Sequence, residues 1–401
     1  MRLLHIIRSV DPRGGGPIEA ARASAAVWRA LGHRCDIVCL DAPDEPWVVA
    51  FGEPVFALGP ARSRRRAFRR DLPWRRYGYT PELARWLAAH GGGYDAIIVN
   101  GLWNFASYGS WRALAKLGKP YFLFPHGMLD PWFNEAYPAK SLVKALFWRL
   151  FENRVVRDAR GVLFTCEEER RRAARSFRPY AGRDFVVGLG ARDVEGDPAA
   201  QRAAFAAQAP ATQGRKLVLY LGRLHPKKGV DLLIAGFARH AATFPAFDLV
   251  VAGPDQAGIA GDLQQIATRS GIADRVHWTG MLTGDAKWGA LREAAFFVLP
   301  SHQENFGIAV AEALAFATPV LVTDKVNIWR EIAADGAGLV VEDTSAGVAD
   351  GLARLCALSD AEREVMSRAA RATFLARFDL GRTAIDLLAL LADPRGERSD
   401  R

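Results

Sequence analysis

The run Phe296-Phe297-Val298-Leu299-Pro300-Ser301 is followed soon after by Glu304-Asn305-Phe306-Gly307-Ile308-Ala309-Val310-Ala311-Glu312. An unbroken apolar run reads as a buried strand. The Phe-Gly step reads as a tight turn, and the Ala-rich residues after it as a helix. A helix start leaves backbone N–H groups without intrahelical partners, and such groups bind anions. Glu304 stands at the mouth of the turn, and Glu312 lies about two helical turns further on. Two carboxylates flanking an anion-binding helix start suit a ligand with hydroxyls at both ends and negative charge between them. A nucleotide sugar has that layout. The spacing alone also reads as a surface helix with two solvated carboxylates, so the context has to choose.

The context is Leu217-Val218-Leu219-Tyr220-Leu221-Gly222-Arg223-Leu224-His225-Pro226-Lys227-Lys228-Gly229-Val230-Asp231. It reads as an apolar strand, a Gly-Arg step, a Pro-containing turn and a Lys-Gly before a helix. Arg223 offers a forked donor and Lys228 a point charge, the two cations that a diphosphate needs. By itself this too could be a solvated basic turn. Together, in this order and spacing, the two stretches resemble the donor domain of retaining family-4 glycosyltransferases, and further likeness runs through most of the chain. That family has the GT-B fold: two Rossmann-like α/β domains facing each other across a cleft, with a C-terminal helix crossing back to the N-terminal domain. The resemblance implies an N-terminal acceptor domain over 1–190, a nucleotide-sugar donor domain over 191–375, and a returning helix and tail over 376–401.

Length and composition agree with this expectation. A chain of 401 residues, 50% hydrophobic and 24% charged, is globular and long enough for two cores. Apolar strands fall near 3–7, 36–40, 96–99, 121–125 and 161–165, and again near 217–222, 247–252, 276–279, 296–300, 319–323 and 338–341. Helical stretches separate them, which implies parallel sheets with ligands at the carboxyl ends of the strands. A linker is expected near 188–214, rich in Gly, Ala, Pro and Gln. The four cysteines, Cys35, Cys39, Cys166 and Cys356, show no Cys-x-x-Cys pair and read as buried free thiols. No apolar run is long enough to span a bilayer, and the chain opens directly on a strand-like Leu3–Ile7, so a cytoplasmic location is expected.

Charge is uneven. Residues 1–190 hold 30 Lys and Arg against 18 Asp and Glu, whereas 191–401 hold 23 against 26. An anionic partner is therefore expected for the first half. Residues 62–79 interleave eight arginines with Phe68, Trp74, Tyr77 and Tyr79, a pattern that fits an anionic membrane surface or a solvated basic loop. Lys140–Phe151 is a second candidate for membrane contact, with core packing as the alternative. No nucleic-acid motif is present.

The first half also has its own site signals. Arg13-Gly14-Gly15-Gly16-Pro17 is a Gly-rich strand–helix turn, and Phe124-Pro125-His126-Gly127 ends a strand at a His-Gly step. The resemblance places Gly15 and Gly16 opposite the donor phosphates and His126 beside the donor sugar. Asn100, Trp103, Asp130 and Trp132, on the same sheet edge, are candidates for the acceptor side. In the second half it implies donor contacts at Gly253, Met281, Leu282, Asn305, Phe306, Gly307 and Ile308. Arg223 and Lys228 would take the diphosphate, Glu304 the sugar and Glu312 the ribose. His126, Glu304, Arg223 and Lys228 are the catalytic set. The implied reaction moves a hexose from a UDP- or GDP-sugar to a glycan or lipid-linked acceptor in exopolysaccharide or lipopolysaccharide synthesis. Retention of configuration, no metal, no other cofactor and a peripheral place at the inner membrane face are implied too. The same donor groups would also serve a nucleotide-sugar epimerase or a non-catalytic nucleotide-sugar-binding protein.

Overall fold

A computed structural model describes residues 1–61, 77–132, 134 and 138–393. The chain divides into two compact units, Met1–Leu189 with the residues from Leu380 onward, and Gly190–Asp379.

In the first unit, seven parallel strands run in the order β3-β2-β1-β4-β5-β6-β7. They are β1 (Arg2–Ile7), β2 (Arg34–Cys39), β3 (Val55–Ala57), β4 (Ala96–Asn100), β5 (Phe122–Phe124), β6 (Gly161–Phe164) and β7 (Asp184–Val186). One face packs Leu4, Ile6, Ile97, Val99 and Leu123 against helices. The other packs Leu3, Ile98, Phe122 and Leu163 with Trp28 and with Ala384, Leu387 and Leu391 of the last helix, Leu380–Ala392. Trp28 Nε1 donates to the Ala384 carbonyl at 2.8 Å, so the last helix is part of this core. β3 and β7 are three-residue strands at the two edges of the sheet, too short to show as apolar runs in the sequence.

In the second unit, six parallel strands run in the order β10-β9-β8-β11-β12-β13. They are β8 (Lys216–Leu221), β9 (Phe247–Ala252), β10 (Val276–Gly280), β11 (Ala294–Leu299), β12 (Val320–Thr323) and β13 (Gly338–Val341). Here every expected strand is present. The expected linker near 188–214 is not all linker, because Pro198–Gln208 is a helix. Asp197 caps it by accepting from Ala199 N, and Pro198 occupies its first turn. The low-complexity look of this segment comes from alanines, which are strong helix formers.

Among the described residues no helix is long and apolar enough to cross a membrane. Cys35, Cys39 and Cys166 are buried free thiols, while Cys356 is only partly buried. The arginine-rich stretch 62–76 lies outside the described residues.

Candidate functional site

Two glycines bring loops at the carboxyl ends of β8, β9 and β11 together. A Cβ on Gly253, just past β9, would lie 1.7 Å from the Gly222 carbonyl. One on Gly229, which has φ +65°, would lie 2.1 Å from the Pro300 carbonyl. Only glycine lets these backbones approach so closely. The Lys228-Gly229 turn is thereby seated on the end of β11, directly before Glu304.

Lys228 and Glu304 form an ion pair, with both side chains largely buried. Lys227 Nζ donates to Gln303 Oε1 at 2.7 Å, and His302 N donates to the Lys227 carbonyl at 2.9 Å, so the two loops are tied by backbone and side chain alike. Burial pushes the Glu304 carboxyl upward, but the charges of Lys228, Lys227 and Arg223 outweigh it and hold its pKa below the usual range. Glu304 is thus an anion under a cluster of cations. Arg223 is exposed and donates to Gln256 Oε1 at 3.0 Å.

Gly307 caps the helix Ile308–Ala315 with a left-handed backbone. Phe306 is buried, its ring 5.6 Å from that of Phe378, so its side chain belongs to the core and only its backbone can serve a ligand. Ile308 and Met281 are exposed, and Leu282 is buried. Asn305 Oδ1 accepts from Asn327 at 3.5 Å. Glu312 is not a lone carboxylate, because Lys287 Nζ donates to it at 2.6 Å from the helix Gly284–Glu293.

The first unit places a second set at the carboxyl ends of β4 and β5. His126 has φ +51°, an unusual backbone for a non-glycine residue and one that clusters at functional sites. Its ring stacks on Phe124 with centroids 4.1 Å apart, and its Nε2 lies 3.0 Å from Asn100 Oδ1. Asn100 Nδ2 faces the carbonyls of Ile6 and Ile98, each at 3.3 Å, and His5 Nδ1 at 3.1 Å. The two carbonyls accept only, so they fix which end of the amide donates and leave Oδ1 as the acceptor. His126 must then carry its proton on Nε2, which leaves Nδ1 as a free acceptor. Burial, and then the neighbouring His5, push the His126 pKa down to about 3. Burial and the charge of Arg29 push His5 down to about 4. Both rings are neutral at pH 7.

Glu169 holds the His-Gly turn, accepting from Gly127 N at 2.6 Å while also accepting from Thr165 N at 2.7 Å. Asp130 pairs with Arg172 at 3.1 Å and accepts from Trp132 N at 2.9 Å. Trp103 turns inward: its Nε1 donates to the Met128 carbonyl at 3.1 Å, and its ring packs near Trp148 and Phe177. Gly15 (φ +72°) and Gly16 open the helix Gly16–Ala30, and neither has an atom within 4 Å of where a Cβ would stand. Sequence reasoning did not find His5, Glu169, Gln256 or Lys287. Only His5, a polar residue inside an apolar strand, left a visible signal. Among the described residues, no three of His, Cys, Asp or Glu gather as a metal-holding group.

The family model for glycosyl transferases of group 1 matches residues 201–373, and that for a glycosyl transferase 4-like domain matches 15–190. Together they take in most of the chain. A D-inositol 3-phosphate glycosyltransferase of Mycolicibacterium gilvum is 30% identical over 257 residues, 63% of this chain and 56% of that protein. The chain thus spans little more than half the length of that relative. A GDP-mannose:cellobiosyl-diphosphopolyprenol alpha-mannosyltransferase of Xanthomonas campestris is 26% identical over the whole length of both chains. Among solved structures, HepE of Anabaena in complex with UDP matches with a TM-score of 0.75 at 18% identity, covering 98% of this chain and 100% of that one. Sucrose-phosphate synthase of Thermosynechococcus elongatus matches with a TM-score of 0.72 at 19% identity, covering 97% and 98%. These likenesses establish the fold as GT-B.

Proposed function

Because the chain belongs to the group 1 glycosyltransferases, we propose that it transfers a hexose from a UDP- or GDP-sugar to a lipid-linked glycan, with retention of configuration and without a metal. The observation that carries this reading is the Lys228–Glu304 pair beside Arg223, at the start of the Gly307-capped helix. A cation held by a carboxylate is preorganised but not committed. When a diphosphate arrives, Lys228 moves its charge onto the phosphate, and Glu304 is left to accept from sugar hydroxyls.

As the bond between the anomeric carbon and the phosphate oxygen breaks, negative charge grows on the leaving group. Arg223, Lys228 and the helix-start N–H groups stabilise it. The acceptor oxygen bonds the same face of the anomeric carbon, and its proton passes to the departing phosphate. No protein nucleophile is needed. His126, with Nε2 occupied by Asn100, accepts a hydrogen bond from a sugar hydroxyl through Nδ1. Glu312 receives the ribose hydroxyls, and Lys287 holds it in place.

A lipid-linked acceptor is supported by the polyprenyl-linked substrate in the name of the Xanthomonas relative. The basic excess of residues 1–190 supports a peripheral place on an anionic membrane. The test is a binding and hydrolysis screen against UDP-, GDP-, ADP- and dTDP-sugars. One donor bound and slowly hydrolysed by the wild type, and lost in Glu304→Ala and Lys228→Ala, is the expected result. Isomerisation of free donor would favour an epimerase, and binding without any turnover a carrier.

A further inference from the structure

The first unit holds a cavity whose lining includes none of the residues assigned to the transfer chemistry. Its volume is about 440 Å³, within the range of small-molecule sites. It is lined by the helices Glu82–His90, Phe105–Lys116 and Pro138–Phe147, by the π-helical turn Trp148–Glu152 that carries Phe151, and by Tyr77, Tyr79 and Pro81.

Its walls are aromatic and braced against one another. Tyr77 lies edge-on to Phe105 and Phe147, at 6.0 and 5.8 Å, and Tyr79 edge-on to Phe105 at 4.9 Å. Tyr108 lies edge-on to Phe151 at 5.4 Å. Rings packed this way present a preformed apolar wall rather than open parallel faces for a base to stack on. Gly109 makes room for it, since a Cβ there would meet the Phe105 ring at 2.8 Å. Two exposed cations of the helix Phe105–Lys116, Arg112 and Lys116, stand on the rim. The apolar surface does not stop at the rim. Leu142, Val143, Leu146 and Leu150, from the segment that supplies Phe147 and Phe151, are 76%, 70%, 60% and 47% exposed.

We propose that this cavity binds the prenyl chain of a phosphate-bearing lipid acceptor, with Arg112 and Lys116 on its phosphates. An apolar slot with cations only at its mouth fits an amphiphile with a hydrocarbon tail and an anionic head. The exposed leucines and valine continue the slot toward the apolar phase in which such a tail resides. The inference rests on the lipid-linked acceptor proposed above, and it assigns the lipid recognition to residues of the first unit other than those assigned to the donor.

The test is calorimetric titration of the full chain with farnesyl diphosphate. Ala84→Trp fills the cavity from an exposed position of the helix Glu82–His90, and is expected to weaken binding about tenfold or more. Arg112→Glu with Lys116→Glu is expected to weaken it about fivefold or more. Lys228→Ala should bind as the wild type does, and Ala84→Trp should hydrolyse donor at the wild-type rate. Wild-type affinity in Ala84→Trp would overturn the proposal, as would loss of binding in Lys228→Ala, or equal binding of farnesol. Full competition by phosphatidylglycerol vesicles would also overturn it, since the surface would then be a general bilayer contact. Failure of the glycosyltransferase reading shows separately, as absence of donor turnover in the wild type.

Discussion

Lys228 and Glu304 in the second unit are a charged pair, whereas His5, Asn100 and His126 in the first are a row of neutral groups. Apart from His5, which lies inside β1, both sets sit at the carboxyl ends of parallel strands, where this architecture presents ligands. In the second unit, cations lower the pKa of a buried acid and keep it ionised. In the first, burial lowers the pKa of two imidazoles and keeps them uncharged. The same depth of burial therefore serves opposite ends, and the choice of neighbour decides which. On the proposed reading, one set meets charge that grows during the reaction and the other places hydroxyls by hydrogen bonding.

The comparison breaks most sharply at the clamp. On the proposed reading Lys228→Ala removes the charge that meets the leaving phosphate, and donor turnover is expected to fall about 10³-fold. It also strands Glu304 as a buried carboxylate without its partner, so a thermal melt must accompany the kinetics. If turnover stays within about threefold of the wild type, the clamp is not catalytic. A smaller effect is expected in the neutral row. Asn100→Ala should lower kcat about 10²-fold while nucleoside diphosphate affinity holds, if Asn100 acts by fixing the His126 tautomer. The ring ¹⁵N shifts of His126 give a readout that packing loss alone would not move.

The fold was legible in the sequence because long apolar runs alternate with helices. All six strands of the second unit showed in this way. What escaped were pieces with little apolar signal: the edge strands β3 and β7, and the helix Pro198–Gln208 among alanines. The candidate donor stretches were visible for a related reason: cations and a helix start, which a diphosphate would need, stand close together in the chain, and the structure pairs Lys228 with Glu304. The partners that tune those stretches were not visible. Lys287 meets Glu312 from another helix, and Glu169 reaches the His126-Gly127 turn across 42 residues. Such pairs are set by tertiary packing, and single positions in exposed-looking charged runs do not reveal them.

The neutral row also predicts how stability follows pH. The folded pKa values of His5 and His126 lie below the ordinary 6.5, so below that pH the unfolded chain takes up protons that the folded chain refuses. Their contribution is full above pH 6.5 and is lost as pH falls toward 4. The expected slope is about 1.4 kcal/mol per pH unit for each group. Chemical denaturation between those limits, with His5→Gln beside the wild type, checks it: the variant should show a shallower acid limb.

The smallest expected effect has the reverse sign. Glu152 is fully buried, accepts from Trp103 N and Ser107 Oγ, each at 3.0 Å, and leaves Oε2 without a partner. Burial raises its pKa from 4.5 to about 8. Stability from this group is present below pH 4.5 and is lost as pH rises through 8. Glu152→Gln keeps the acceptor and removes the charge, so it should stabilise the protein by about 1–3 kcal/mol near pH 8. The gain should fade near pH 5. A variant less stable than the wild type at pH 8 would show that the ionised carboxylate is needed.

The most direct test of the account is calorimetric titration of UDP and GDP, without sugar, into wild type, Lys228→Ala and Glu304→Gln. If Lys228 is the diphosphate cation and Glu304 the sugar ligand, Lys228→Ala weakens binding about tenfold or more. Glu304→Gln then binds the nucleotide at least as tightly as the wild type, since its lysine is released, yet loses donor hydrolysis. Unchanged affinity in Lys228→Ala, or weakened nucleotide binding in Glu304→Gln, would contradict the assignment of charge to phosphate and carboxylate to sugar.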